Sequence, residues 1–479
     1  MTEKINKRTS IPAFWLLLVA MVCYPGCEFE QLHQNFDPNS GPVTPAFEVD
    51  SISNNGYNPS LVSFKNNSTG GDIYSWNFGD PASGGNNSSA DKNPSHLYEN
   101  PGVYTVSLTV ENSLTNEDET TSMDVTIEET HTFSRTLGGV GTVFTRLWDV
   151  VVLDDGDYLI MGAKGDDNDT DPYFQKYNEE GNSRAGFPKT VELAGKGEAR
   201  AGIEISSGNI AVTGYVNNGG FNDEMVAFYQ FDQNLNLQAG FPKTYGSTSR
   251  GAGHDIIQTS SGGYAIVGGI GGSGGADFFV TMLAANAQEL NNFPRTYNEF
   301  DFTETANAIM QLENDEFIMI GSDVTLGRLF INRMDASGND LDNHPFYIDG
   351  RDGNGMVVLP DESIMIVGRN LQRMDLNGND FPGFPKSYGN RFTGNDIILT
   401  REGDVVFVGQ LEDDLVLYRT DLNGTPLSGF PKTFPTTDRS MAYSVAQTPD
   451  GGFLIAGTIF DSDSKGYVIK TDANGLVED

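Results

Sequence analysis

At 479 residues the chain is long enough for two or three domains and a large core, so size alone excludes neither an enzyme nor a scaffold. A formal charge of −37, from 29 basic and 66 acidic residues, repels a polyphosphate backbone and argues against nucleic acid as a partner. Gly, Asn, Asp, Thr and aromatic residues are plentiful and helix formers do not dominate, which predicts an all-β protein of short strands and tight turns.

The chain opens on a basic stretch with Lys4, Lys7 and Arg8, followed by an apolar run, Ile11 to Val22, broken only by Pro12. This is the form of a signal peptide, and the run is shorter than the ~20 apolar residues that span a bilayer. Tyr24-Pro25-Gly26-Cys27 resembles the lipobox of bacterial lipoproteins, with a small residue directly before the cysteine. The resemblance implies a signal peptide over 1–26, cleavage before Cys27 and a lipid on Cys27 that anchors the protein in the outer membrane. Tyr24 departs from the aliphatic residue usual at its position, Cys23 is the rival cysteine, and an ordinary secretory signal is the alternative. Glu28 and Glu30 resemble the surface-export signals of Bacteroidetes-type lipoproteins, which implies display at the cell surface. Both cysteines lie in this segment, so the folded part can contain no disulfide. Residues 27–45 are polar and proline-bearing, a flexible tether that would reach roughly 60 Å when extended.

From residue 46 to 129 the pattern changes to strands. Tyr104 to Val110 alternates apolar and polar residues, and Leu61–Phe64, Ile73–Trp76 and Met123–Ile127 repeat that signal between Gly, Asn and Pro turns. Trp76-Asn-Phe-Gly-Asp80, then Pro94-Ser-His-Leu-Tyr98 and Gly102-Val-Tyr104, resemble the PKD domain, an immunoglobulin-like β-sandwich of cell-surface proteins. Trp76 is expected to plug the core, Gly79 and Asp80 to turn, and Tyr98 to serve as a corner tyrosine. His96 lies inside the motif and is expected to hydrogen-bond structurally rather than to bind metal. The family usually has Gly after the Asp; Pro81 and a longer insert to Asn93 predict a remodelled turn here.

The rest, 131–479, is repetitive. Acidic or glycine turns lead into apolar strands that end at Gly162, Gly214, Gly268, Gly321, Gly368, Gly409 and Gly457, spaced 52, 54, 53, 47, 41 and 48 residues apart. That period suits a four-stranded propeller blade, and seven such glycines predict seven blades. Each blade has an inner strand A, a strand B before the marker glycine, a strand C ending in turns such as Asn377-Gly378, and an outer strand D carrying Phe-Pro-Lys-Thr or a variant of it. The last unit lacks strand D. The stretch Thr132–Gly139 contains Phe133-Ser-Arg-Thr136, ahead of every other copy, and can supply it, closing the ring. The units resemble the Asp-Gly-Gly propeller repeats of secreted bacterial proteins, which implies a scaffold rather than one activity.

Two loop classes are candidates for a ligand. The B–C loops are expected to be long in blades one, two, three and seven and short in four, five and six, making one contiguous wall. Arg146, Arg200, Arg250, Arg351, Arg391 and Arg439 fall shortly before strand A in six blades, where blade four has Thr303 and Glu304. A ring of arginines could bind a carboxylate or sulfate through paired N–H donors. Alternatively each pairs with an acidic group of its own or the next blade, for example near Asp149, Asp255 or Asp396. Asp166, Asp167, Asp169 and Asp171 in blade one, with Asp461 and Asp463 in blade seven, could supply oxygens to Ca²⁺, although neither loop has EF-hand spacing. No other cofactor is indicated. Gly271–Gly275 fits a nucleophile-elbow pattern and Gly269–Gly274 a dinucleotide loop, but the run leads into another strand, so it reads as a glycine loop. The five histidines are scattered, and with 66 acidic residues a carboxylate pair at glycosidase distance is expected by chance.

The expectation is an all-β, lipid-anchored surface protein, a PKD-like sandwich plus a seven-bladed propeller, that binds a glycan or protein without catalysis. A propeller-type polysaccharide hydrolase or lyase, and a structural part of an envelope assembly, are the alternatives.

Overall fold

The computed structural model describes residues 41–138, 143–166, 169–193, 195–217, 223–246, 250–271, 276–297, 304–323 and 325–477. The segment expected to be a signal peptide, with Cys23 and Cys27, lies outside them, as does the expected tether up to residue 40. The architecture is all-β, and the alternating patterns of the sequence become two kinds of sheet.

In the first unit a three-stranded sheet (Phe47–Ile52, Ser60–Asn66, Ser95–Tyr98) faces a four-stranded one (Ser88–Ser89, Ile73–Asn77, Gly102–Glu111, Asp118–Ile127). Their inner faces meet in a core of Val62, Phe64, Trp76, Phe78, Tyr98, Val106 and Leu108. Trp76 is 1% exposed and donates Nε1–H to the Asp91 carbonyl at 2.9 Å, while the Tyr98 hydroxyl donates to the Phe78 carbonyl at 2.9 Å. His96 is buried, stacks on Phe78 and meets Asp80 at 3.0 Å, which is the structural role its motif predicts. The insert after Pro81 forms a short 3-10 segment, Pro81–Asn87.

The propeller follows almost at once. Blade one is built from A Phe144–Val152, B Tyr158–Gly165, C Thr170–Tyr177 and D Lys189–Thr190, hydrogen-bonded in that order. Blades two, three, four and six repeat the pattern; blade five has three strands, with a single bridge from Leu371 to Lys386 standing for the fourth. In blade seven the outer strand is Phe133–Leu137, antiparallel to Lys465–Thr471. The N-terminal latch therefore closes the ring. Its Phe133 lies where a Cβ on Gly181, in the C–D turn of blade one, would be; Phe293 does the same over Gly338 and Phe346 over Gly378. The latch thus makes the contact that the outer segments of blades three and four make with the following blade. Phe133, Leu147, Tyr158, Tyr173, Leu454 and Val468 share one buried cluster across the seam.

Two local expectations change. Strand D starts at the lysine rather than at Phe-Pro, and the lysine crosses to the next blade, where Lys243 Nζ donates to the Asn286 carbonyl at 2.8 Å. The Asn-Gly turns are not two-residue hairpins: Asp375 Oδ1 accepts from the backbone N–H of Asn377 and Asn379 at 2.9 Å, and only Gly378 needs positive φ, at 83°.

Candidate functional site

The inner strands carry a defect that repeats around the ring. In six blades the A–B pairing skips one residue of strand A: Trp148, Arg200, His254, Asn307, Asn395 and Tyr443. Such a bulge bends the strand and re-aims a side chain. In blade five Asn354, one residue ahead of strand A (Gly355–Val358), takes the same place. The marker glycines exist because of the bulge. A Cβ on Gly162, Gly214, Gly268, Gly321 or Gly409 would overlap the strand A carbonyl of Arg146, Glu198, Ala252, Thr305 or Thr393 respectively. Each of the seven re-aimed residues stands fourteen positions before its marker glycine, as Trp148 does before Gly162 and Tyr443 before Gly457. All seven are half-buried and line one central cavity of ≈ 400 Å³.

Around half of this cavity the residues are used by the fold. His254 Nδ1–H donates to the Ala306 carbonyl at 3.2 Å, and the amides of Asn307, Asn354 and Asn395 donate to the carbonyls of Gly353, Gly394 and Ala442 at 2.8, 2.8 and 2.6 Å. Each bond runs from one blade to the residue just before the bulge of the next. Beneath them, acidic residues clamp neighbouring blades. Asp149 accepts from Val150 N–H and Gly202 N–H at 2.8 Å and from Ser444 Oγ–H at 2.7 Å. Asp255 accepts from Ile256 and Ile309, and Asp396 from Ile397 and Val445, all through backbone N–H at 2.8 Å. Burial pushes the Asp149 carboxyl up to about 7, against the hydrogen bonds it accepts. Burial likewise raises Asp255 and Asp396 to about 6.

The other half, blades seven, one and two, is aromatic and cationic. Trp148 and Tyr443 meet edge to face with ring centroids 4.6 Å apart. Arg200 lies 5.9 Å over the Trp148 ring and 5.4 Å over Tyr215, ion-pairs with Glu198 at 3.0 Å and donates Nη1–H to His254 Nε2 at 2.9 Å. Burial and the Arg200 charge drive His254 down to about 3, so it is a neutral imidazole whose two nitrogens are both engaged. Arg146 and Arg439 lie near enough to Tyr443 to favour its phenolate, although burial dominates and raises that hydroxyl. Among the described residues neither arginine has a carboxylate partner: Arg146 sits 4.4 Å over the Phe144 ring with its Nε unbonded, and Arg439 donates to the Gln410 side chain at 2.8 Å. Trp148 Nε1 and the Tyr443 hydroxyl also lack hydrogen-bond partners among the described residues.

Residues 39–127 match the PKD domain. The PKD domain is thus the sandwich whose motif residues surround Trp76. No match is found among curated protein sequences. Similar solved structures include a catalytically inactive virginiamycin B lyase of Staphylococcus aureus with quinupristin, at 13% identity and TM-score 0.47, covering 71% of this chain and 99% of that one. Others are the WD40 β-propeller domain of Doa1, at 11% identity and TM-score 0.48 over 73% and 99%, and the Pseudomonas aeruginosa periplasmic gluconolactonase PpgL, at 11% and 0.46 over 70% and 94%. The likeness is one of fold, and the seven blades behind the PKD domain rest on the strand pairing described above.

The six arginines expected as a ring do not form one. Arg200 lines the cavity and Arg146 and Arg439 flank it, whereas Arg351 forks onto Asp380 at 2.5 and 2.6 Å and Arg250 and Arg391 are exposed. Their offsets from the marker glycine differ, and only Arg200 occupies the bulge position. Asp149, Asp255 and Asp396 pair with backbone N–H groups rather than with arginines. The B–C loop contrast is also smaller than expected. Strands B and C of blade one run to Gly165 and from Thr170, leaving 166–169, the same length as 324–327 in blade four.

The acidic loops are held internally. Asp169 N–H donates to Asp166 Oδ1 at 3.0 Å, Asp171 accepts from Leu193 N–H at 2.9 Å, and Asp461 pairs with Lys465 at 2.5 Å and accepts from Asp463 N–H at 3.1 Å. Asp167 lies outside the described residues. Among the described residues the metal-ligating side chains that converge in a group of three are His131, Glu179 and Glu180. The glycine loop 272–275 is likewise outside them, but it is followed by strand Ala276–Leu283, as expected.

Proposed function

We propose that this is a non-enzymatic, lipid-anchored surface protein that binds a glycan in its central channel, on the half formed by blades seven, one and two. The observation that carries the reading is the edge-to-face pair of Trp148 and Tyr443 beside Arg146 and Arg439, two cations without a carboxylate partner among the described residues of a chain of charge −37. Flat aromatic faces suit the apolar faces of sugar rings, and unpaired N–H donors suit hydroxyl or carboxylate oxygens. Binding is preferred to hydrolysis or lysis because the imidazole and the aspartate carboxyl groups of the cavity are occupied. Both nitrogens of His254 and both oxygens of Asp149, Asp255 and Asp396 are already engaged in hydrogen bonds, at least one of them on each residue to a neighbouring blade.

Cys27 would carry the lipid, the tether would hold the PKD domain and propeller away from the outer membrane, and a protein ligand at the same rim is the second reading. Among the described residues no helix is long and apolar enough to cross a membrane. A glycan array followed by a reducing-sugar release assay tests the function. Retention without release, lost at least tenfold in Trp148→Ala, is the expected result; sugar release by the wild type would replace binding with catalysis, and an array without retention would remove the glycan.

A further inference from the structure

A second, smaller cavity of ≈ 40 Å³ lies at the seam where the PKD domain, the latch and blade one meet. Tyr57, Glu129, His131, Tyr158, Glu179 and Asp450 are among the residues that line it. The latch assembles this corner. Phe133 packs onto Gly181, which brings His131, two residues upstream of that phenylalanine, beside Glu179 and Glu180, the pair just before that glycine. One ligand atom from each of His131, Glu179 and Glu180 lies within 4.8 Å of the others. Three side chains from two distant parts of the chain thus converge only when the ring is closed.

The surroundings favour a cation. Asp450 is neutralised by Lys470 at 2.6 Å, but Glu129, Glu179 and Glu180 have no ion pair among the described residues. Tyr158 is 2% exposed and lines the cavity, and its hydroxyl has no hydrogen-bond partner among the described residues. A buried phenol in that state points to a missing ligand.

We propose that His131, Glu179 and Glu180 bind one first-row divalent metal ion of the Zn²⁺ type, and that the ion fastens the latch to blade one. An imidazole with two carboxylates suits Zn²⁺ or Mn²⁺, whereas Ca²⁺ prefers an all-oxygen set. The Tyr158 hydroxyl faces the same space and can bond to a metal-held water. This site is separate from the channel, and neither reading depends on the other.

The test uses the full chain carrying Cys23→Ser and Cys27→Ser, to remove thiol binding, titrated with Zn²⁺ alone after EDTA treatment. One Zn²⁺ per chain should bind and raise the melting temperature by about 3–5 °C. His131→Ala, and Glu179→Gln with Glu180→Gln, should weaken binding at least tenfold and abolish that rise. The metal-free glutamine variant should melt like the metal-free parent, so loss of binding there is not loss of fold. Binding that is absent, unchanged in both variants, or tighter for Ca²⁺ than for Zn²⁺ would overturn the proposal.

Discussion

The two halves of the channel use one backbone device in opposite ways. In blades three to six the bulge turns His254, Asn307, Asn354 and Asn395 toward the next blade, and each donates its N–H to a carbonyl there. In blades seven, one and two the same bulge presents Tyr443, Trp148 and Arg200, which touch one another through rings and charge and leave the Trp148 Nε1 and Tyr443 hydroxyl without partners among the described residues. A repeat can therefore keep its closure on one side and free the Trp148 and Tyr443 positions on the other, while Arg200 still bonds to His254 of the next blade. Recognition is expected where those positions have stopped pinning blades together.

The largest effect is expected at the seam both halves depend on. Deleting Phe133–Leu137 removes the outer strand of blade seven and the Phe133 contact over Gly181, and should lower the melting temperature of the whole ring by about 10 °C or more. Loss confined to blade seven, seen as local amide exchange with the other blades protected, would show that the ring is not closed by this strand.

Next in size are the marker glycines. Gly409→Ala would set a methyl group against the Thr393 carbonyl and should cost about 2–4 kcal/mol in denaturant unfolding. The same change at Gly403, an A–B turn glycine with φ of 86° and open space around it, should cost about 1 kcal/mol through backbone strain alone. Equal losses at the two positions would mean that the bulge does not impose the marker glycine.

A smaller effect is expected from pH. Because the folded-state value of Asp149 is raised to about 7 above an ordinary 3.8, its stabilising contribution is full below about pH 4 and is lost as pH rises through 7. Between pH 5 and 8 the wild type should therefore lose more melting temperature than Asp149→Asn, which cannot titrate. Asp149→Asn should be the less stable of the two at pH 5, since an amide cannot accept from Gly202 and Val150 on both of its polar atoms. Parallel pH curves would show that Asp149 ionises as it does in the unfolded chain.

Much of this architecture could be read from the residues. Trp76, Tyr98 and His96 behave as their motif implies, the seven glycines mark seven blades, and the missing last strand was legible because Phe133-Ser-Arg-Thr136 has no blade of its own ahead of it. The site was harder. The arginines near the start of strand A, two of which (Arg146 and Arg200) lie within it, stand out by charge, and charge does not report which residue the bulge turns inward. The usable signal was geometric: fourteen residues before each glycine stand Trp, Arg, His, Asn, Asn, Asn and Tyr, a set without common chemistry that composition cannot flag. Asp149, Asp255 and Asp396 stand where pairing with arginine is expected, yet each accepts from a backbone N–H of an adjacent blade, which sequence separation hides. His131 and Glu179-Glu180 meet only through the latch, so no local pattern joins them.

The most direct test of the division between the halves sets Trp148→Ala beside Asn354→Ala, measuring affinity for a saccharide retained on the array together with denaturant unfolding. Trp148→Ala should lose at least tenfold in affinity with stability changed by less than about 1 kcal/mol, and Asn354→Ala should lose about 1–2 kcal/mol of stability with affinity kept. If both variants lost affinity equally, or if Trp148→Ala bound as the wild type does, the two halves would not differ in function and the account would be contradicted.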